Sequence, residues 1–220
     1  MNREERYSRQ AGLVPEDELA KCCPTVIGVG AIGRQVALQL AAMGVPKLTL
    51  VDFDTVEESN IASQGYWEVD LHRLKVSATG EACGEINCDL SVEMVSEKFK
   101  RSMAEKDGQV VFCCVDSIET RELIWKWVAD YSEFFVDGRM SAEALRVLTA
   151  CDSATRMYYP MTLFKAEEAY VGDCTAKTTI YCANVAAGLM VAQFTKWLRR
   201  MPSDADIQLN LLTSELTVSE

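Results

Sequence analysis

Histidine is almost missing from this chain of 220 residues; the single one, His72, lies in a polar stretch and reads as a solvated side chain. That scarcity excludes chemistry built on paired histidines, whether as metal ligands or as acid–base couples. No two cysteines stand in C-x-x-C spacing, which excludes a zinc ribbon, although nine cysteines are present, including the adjacent pairs Cys22-Cys23 and Cys113-Cys114. They are expected to be reduced and mostly buried, acting as small hydrophobes with no metal role. No apolar run reaches the roughly 18–20 residues of a membrane span. Residues 1–6, Met-Asn-Arg-Glu-Glu-Arg, lack the apolar core of a signal peptide, so a cytosolic chain with no membrane partner is expected. Basic residues are outnumbered 22 to 33, and the resulting net charge of -11 makes nucleic acid an unsuitable partner, while leaving room for a local basic pocket.

What is present fits an ordinary globular chain: 49% hydrophobic and 25% charged residues, enough to bury one sizeable core, without repeats or low-complexity tracts. One domain spanning 1–220 is expected. Residues 1–23 read as an irregular arm with a short helix near Glu16–Lys21. Thr25-Val26-Ile27 then reads as a buried strand, Ile32–Met43 as a helix stopped by Gly44 and Pro46, and Lys47–Val51 as a second strand. Residues 54–67 are polar and turn-rich and are expected to form a long loop. A helix over Arg73–Cys83, strands over Leu90–Val95 and Val110–Cys114, a helix over Ile118–Ala129 and a short strand over Phe134-Phe135-Val136 continue the alternation. Residues 151–178 suggest a loop or lid. A long helix over Thr179–Leu198 and strand-like runs at Leu145–Ala150, Ile207–Leu212 and Leu216–Val218 complete the chain. The pattern predicts an α/β fold: a Rossmann-like, doubly wound, mostly parallel sheet with added antiparallel C-terminal strands.

Between the first strand and the first long helix lies Gly28-Val29-Gly30-Ala31-Ile32-Gly33, a G-x-G-x-x-G. Glycines there let the backbone approach a phosphate, and the helix N-terminus favours negative charge. The motif also serves as a bare tight turn, but Asp52, 19 residues beyond Gly33 at the end of the second strand, adds the acid that holds a ribose and favours nucleotide binding. A dehydrogenase would use Asp52 in the same way, yet the chain advertises no acid or base for a nicotinamide pocket.

Further segments accompany the glycines in order: Arg6-Tyr7-Ser8-Arg9-Gln10, Leu50-Val51-Asp52-Phe53-Asp54-Thr55-Val56 with Ser59-Asn60-Ile61, Lys75-Val76, and Cys113-Cys114-Val115-Asp116-Ser117. Over roughly residues 6–200 the chain resembles the superfamily of ubiquitin-activating enzymes and ThiF/MoeB-type adenylyltransferases. The resemblance implies adenylation of a carboxylate with ATP and Mg²⁺, most simply the C-terminus of a ubiquitin-like or sulfur-carrier protein, with release of pyrophosphate. It implies that Asp52 holds the ribose, that Asp54, Asn60 and Gln64 line the phosphates beside Gly28, Gly30 and Gly33, that Lys75 contacts ATP, and that Asp116 binds Mg²⁺. Arg9 matches an arginine inserted into a partner subunit's site, which implies a homodimer.

The chain departs from the family in two places. An arginine commonly precedes the glutamine of the family's Asn-Leu-x-Arg-Gln segment, and Ser63 stands there; Arg73, near Lys75 in sequence, or another nearby cation is expected to compensate. The paired C-x-x-C motifs of many bacterial relatives are also missing, and apolar burial around Phe194, Trp197 and Leu198 is expected to replace the metal. Cys174, in Asp173-Cys174-Thr175-Ala176-Lys177, aligns approximately with the cysteine of thioester or persulfide chemistry in the family; an inert loop thiol is the competing reading. Residues 139–178, including Arg139, are placed to shape acyl-substrate choice. Glu57, Glu58, Glu68 and Asp70 are expected to form a solvated acidic face. Three alternatives stay open: a peptide or small-molecule carboxylate as substrate, a dinucleotide-dependent oxidoreductase, which would have no need of Lys75 and Asp116, and an inactive binding subunit.

Overall fold

The computed structural model describes residues 3–104, 110–164 and 178–219. An arm made of α1 (Arg3–Tyr7), a 3-10 turn (Ser8–Gln10) and α2 (Glu16–Leu19) leads into β1 (Thr25–Ile27), α3 (Ala31–Met43) and β2 (Lys47–Val51). Then come α4 (Glu58–Gln64), α5 (Lys75–Ile86), β3 (Ser91–Val95), α6 (Arg101–Ala104), β4 (Val110–Cys113), α7 (Ile118–Val128), β5 (Phe134–Ser141) and β6 (Ala144–Ala150). The chain closes with α8 (Ser153–Tyr158), a 3-10 turn (Tyr159–Thr162), α9 (Ile180–Leu198), β7 (Asp206–Asn210) and β8 (Glu215–Ser219).

The strands form one sheet in the order β3-β2-β1-β4-β5-β6-β7-β8. The first five pair in parallel, and β6, β7 and β8 add on in antiparallel fashion. The expected fold class is therefore the observed one. Strand periodicity assigns the two faces: Val26, Phe112, Phe134 and Val136 join one apolar cluster with α3 and α9, while Ile27, Val111, Cys113 and Phe135 join a second with α7. On the first face α3 packs between α9 and α5. Alanines 183, 186 and 187 of α9 are fully buried, and their small side chains allow the close helix approach. Phe194 meets Phe112 and Phe134 at 5.6 Å between ring centroids and stacks on Trp197 at 5.9 Å, so the expected apolar burial near the C-terminus is present.

Four expectations need correction. Residues 54–67 are not one long loop, because α4 forms within them. The Asn60 side chain accepts the Glu57 N–H at 3.0 Å at its start, and Gly65 at φ 74° caps its end, signals that a polar composition hides. β5 runs on to Ser141, five residues past the apolar triplet, because β6 pairs with it through Ser141↔Ala144. The described part of the proposed lid, 151–164, holds α8 and a 3-10 turn whose end residues Tyr159 and Thr162 are buried; the remainder, 165–177, lies outside the described residues. Finally, Asp70 is buried, accepting from Trp67 N at 3.2 Å and Arg73 at 3.1 Å, while Glu57, Glu58 and Glu68 are exposed as expected.

The antiparallel extension is tied by a charge pair. Arg146 on β6 donates to Asp206 on β7 from Nε at 2.9 Å and from Nη2 at 2.7 Å, and Tyr158 Oη adds a third bond at 2.9 Å. Burial alone would raise the Asp206 carboxyl, but the Arg146 and Tyr158 bonds overcome it and hold the group below the usual carboxylate range. A carboxylate depressed in the folded state stabilises the fold above its unfolded value and loses that contribution as pH falls through the folded one. Asp206→Asn should lower Tm by roughly 5 °C at neutral pH and flatten the fall of Tm below about pH 4; melting curves across pH check both.

Candidate nucleotide-binding site

The crevice between β1 and β4 is the topological switch point of the sheet, since the chain leaves β1 toward β2 on one side and returns to β4 on the other. The glycine loop fills that position. Gly28 takes φ 85°, with its N–H on Val51 O at 2.8 Å, and a methyl group on it would lie 2.8 Å from Cys114 O. A methyl group on Gly33 would collide with the Gly28 carbonyl, whereas one on Gly30 would find Gln64 Oε1 at 3.7 Å and nothing nearer. Gly28 and Gly33 are thus required by the fold, and Gly30 leaves the open backbone. The amides of the first turn of α3 have no intrahelical acceptor, which leaves them for an anion.

Asp52, at the end of β2, accepts from Val29 N at 2.6 Å and from Asp54 N at 2.9 Å. Burial pushes its carboxyl up, against the lowering effect of those two backbone bonds and of Lys75. Each oxygen retains an acceptor position for a sugar hydroxyl. Lys75 opens α5 with only 6% of its surface exposed, and its Nζ bonds Asp54 Oδ2 at 3.1 Å. The same two residues are joined by Lys75 N on Asp54 O at 3.0 Å. The ammonium is thus paired with a half-exposed acid and lies close enough to Asp52 to act on its carboxyl. Gln64 ends α4 with its Oε1 buried and without a hydrogen-bond partner among the described residues. An amide rotated by 180° places Nε2 there as a donor toward the glycine loop. Asp116, exposed on the connection from β4 to α7, reaches the same edge through Cys114, whose N bonds Ile27 O at 2.8 Å.

The residues present therefore fit a nucleotide triphosphate: bare loop amides, an orphaned carboxamide, a buried lysine and an acid for ribose. No group of three or more His, Cys, Asp or Glu among the described residues is arranged to hold a metal ion. Asp116 alone fits magnesium, which is ordinarily held by one or two carboxylates together with substrate phosphates.

Other candidates stand elsewhere. Asn60 is occupied at the start of α4, with Nδ2 on Ser59 Oγ at 3.4 Å. Arg73, the expected substitute at the phosphates, is held by Asp70 at 3.1 Å and by Glu81, so its charge is already matched. Arg9 is exposed on an arm anchored by Gln10 Nε2 on Met43 O at 2.8 Å and Arg6 Nη2 on Ile86 O at 2.8 Å. Met43 is the last residue of α3, 13 residues long, so the arm sits about 20 Å from the glycine loop at 1.5 Å per residue and Arg9 is beyond reach of its own site. Cys174 lies outside the described residues. Burial pushes the Cys22 thiol up to about 11 and the Cys83 thiol up to about 12, so both are inert as nucleophiles.

Sequence reasoning did not single out Arg34, Tyr66 and Thr79, which lie behind the loop. Arg34 is 1% exposed, donates from Nε to Gly65 O at 3.1 Å and from Nη1 to Thr79 Oγ1 at 3.1 Å, and stacks on Tyr66 at 4.3 Å. A basic residue at the start of an otherwise apolar helix was the available signal. A second buried group, Asp137 at the end of the parallel part of β5, accepts from Arg121, from Arg139 Nε at 2.7 Å and from Tyr159 Oη at 3.0 Å. Arg139 also holds Thr162 O at 2.9 Å, so it anchors the 3-10 turn.

A glycine loop at the switch point of a mostly parallel sheet, with an acid after β2 and a buried lysine opening α5, defines a domain of the Rossmann-like class. The ThiF family pattern matches residues 7–217, and the chain belongs to that family. The chain is 33% identical over 125 residues to the molybdopterin-synthase adenylyltransferase of Haemophilus influenzae, covering 53% of this chain and 51% of that protein. It is 32% identical over 130 residues to the sulfur carrier protein ThiS adenylyltransferase of Escherichia coli, covering 54% and 51% respectively. The chain thus spans about half the length of these relatives. The fold matches the crystal structure of PaaA with a TM-score of 0.79 at 21% identity, over 99% of this chain and 73% of that one. It matches E. coli MccB with AMPCPP and MccA with a TM-score of 0.77 at 18% identity, over 100% and 72%.

Gly30→Ala should leave Tm within about 2 °C of wild type yet abolish stabilisation by nucleotide, whereas Gly33→Ala should cost about 3 kcal/mol, a Tm loss of roughly 10 °C. Thermal melts with and without ATP separate the two glycines.

Proposed function

We propose that this chain activates a carboxylate by joining it to the AMP portion of ATP, the carboxylate being the C-terminus of a sulfur-carrier or other ubiquitin-like protein. The observation that carries the reading is Lys75, a buried ammonium bonded to Asp54 and acting on the carboxyl of Asp52, which a dinucleotide site has no need of. The names of the two curated relatives supply the substrate class.

In the reaction a carboxylate oxygen bonds to the α-phosphorus, the bond to the bridging oxygen breaks, and pyrophosphate leaves. Both reactants are anions, so repulsion is the main obstacle. Lys75 offsets charge on the phosphates, the loop amides supply dipoles that need no rearrangement, and Asp52 fixes the sugar. Asp116 would hold Mg²⁺, which would supply further charge neutralisation. No side-chain base is required, because the attacking carboxylate is ionised at neutral pH. A second copy of the chain supplies Arg9 and completes each site in trans in a homodimer, a reading supported by the anchoring of the arm at the far end of α3 from the glycine loop.

ATP with Mg²⁺ at 100 times its Kd should stabilise the wild type by about 2.7 kcal/mol, and Lys75→Ala should lose that shift, while NAD, NADH and FAD give none. A shift from a dinucleotide alone would replace this reading with an oxidoreductase. Arg9→Ala and Lys75→Ala should each be inactive separately, and an equal mixture should recover roughly a quarter of wild-type activity, as expected when half the dimers carry one intact site. Recovery of none would remove the trans role of Arg9.

A further inference from the structure

Tyr66 is 2% exposed, and its hydroxyl donates to Val29 O at 2.6 Å. Val29 N, on the other side of the same residue, donates to Asp52 at 2.6 Å. Val29 is therefore gripped through both of its backbone polar groups, between the ribose acid and a tyrosine that none of the expected roles includes. A trans peptide points its carbonyl and the next N–H in opposite directions. Holding Val29 O toward Tyr66 accordingly turns the Gly30 N–H away from the core, toward the open face of the loop.

The hydrogens behind this contact can point only one way. A carbonyl has no proton to give, so the single Tyr66 hydroxyl hydrogen goes to Val29 O. The 3.1 Å contact between Tyr66 Oη and Thr79 Oγ1 must then use the threonine hydrogen. Thr79 Oγ1 in turn accepts from Arg34 Nη1 at 3.1 Å. Burial pushes the Tyr66 hydroxyl well up, so it stays a donor at every physiological pH. Arg34 makes no ion pair with a carboxylate among the described residues, so no direct contact neutralises its buried charge.

We propose that Arg34, Thr79 and Tyr66 form a one-directional hydrogen-bond relay that turns and polarises the Val29–Gly30 peptide, making the Gly30 amide a strengthened phosphate donor. Every donor in the chain points from the guanidinium toward Val29 O, the arrangement in which successive bonds reinforce one another. The three residues are positioning groups: they touch the loop from behind and act on bound phosphate through it. This inference rests on the nucleotide reading above and adds to it the source of the loop's anion affinity.

The test uses Tyr66→Phe, which removes one oxygen, and Thr79→Val, which breaks the relay one link further back with little change of shape. Calorimetric titration with ATP and Mg²⁺ and with adenosine, for both variants, for wild type and for Lys75→Ala, separates phosphate binding from sugar and base binding. Amide NMR of the ligand-free protein follows the Gly30 N–H. Both variants should move the Gly30 proton resonance upfield and weaken ATP about tenfold, with adenosine affinity within twofold of wild type. ATP affinity unchanged in Tyr66→Phe but lost in Lys75→Ala would overturn the relay and leave the adenylation reading standing. Equal weakening of ATP and adenosine would overturn it also, as the mark of a general packing role. Wild-type protein that binds no ATP would remove both readings together.

Discussion

A helix laid so close to a loop carbonyl that no methyl group fits between them is the contact on which the site depends. Gly33 of α3 sits against the Gly28 carbonyl, and Gly28 in turn sits against Cys114 at the end of β4. That double approach brings the start of α3 into the β1/β4 crevice and fixes its unsatisfied amides beside Asp52. Lys75 is positioned separately, because the segment leaving β2 pairs back through Thr55↔Leu74 and brings the first residue of α5 onto Asp54, beside Asp52. Gln64 arrives by a third route, with Arg34 and Gln35 of α3 bonding the Gly65 and Gln64 carbonyls at 3.1 Å. The site thus gathers contributions from three helices and three strands.

The parts of this arrangement visible in the sequence were those with a period or a special residue. Short apolar runs alternating with helical segments gave the parallel strands, the long apolar run near the C-terminus gave α9, and Gly28, Gly33 and Asp52 gave the crevice. What stayed hidden was held together by polar contacts distant along the chain. α4 carries no apolar stripe, since its existence depends on Asn60 and Gly65. Asp70 looked like one more solvated acid, and only the fold shows that Trp67 and Arg73 enclose it. Arg73 looked free for phosphate for the same reason. Tyr66 could not be found by pattern, because its partners lie 37 residues before it and 13 after it.

Buried charge is used in two different ways in the molecule. On the β5 side, Asp137 gathers Arg121, Arg139 and Tyr159, so that each charge has an opposite neighbour and the outcome is a fixed wall beside the site. On the α3 side, Arg34 is stacked on Tyr66 and, among the described residues, hydrogen-bonds neutral acceptors. A guanidinium with no carboxylate in direct contact among the described residues keeps part of its field available, and the binding of an anion at the loop is where that field acts favourably. The acidic character of the chain as a whole, at -11, makes such local concentrations of positive charge the decisive feature for a phosphate ligand.

Adenylation of a protein C-terminus is tested most directly by pyrophosphate exchange: labelled pyrophosphate is supplied with ATP, Mg²⁺ and purified sulfur-carrier proteins, each with a free or an amidated C-terminus. The account predicts label in ATP only with a free C-terminal carboxylate, and none with Lys75→Ala. Exchange that ignores the carrier's C-terminus, or its absence with every carrier while a dinucleotide binds tightly, would contradict it.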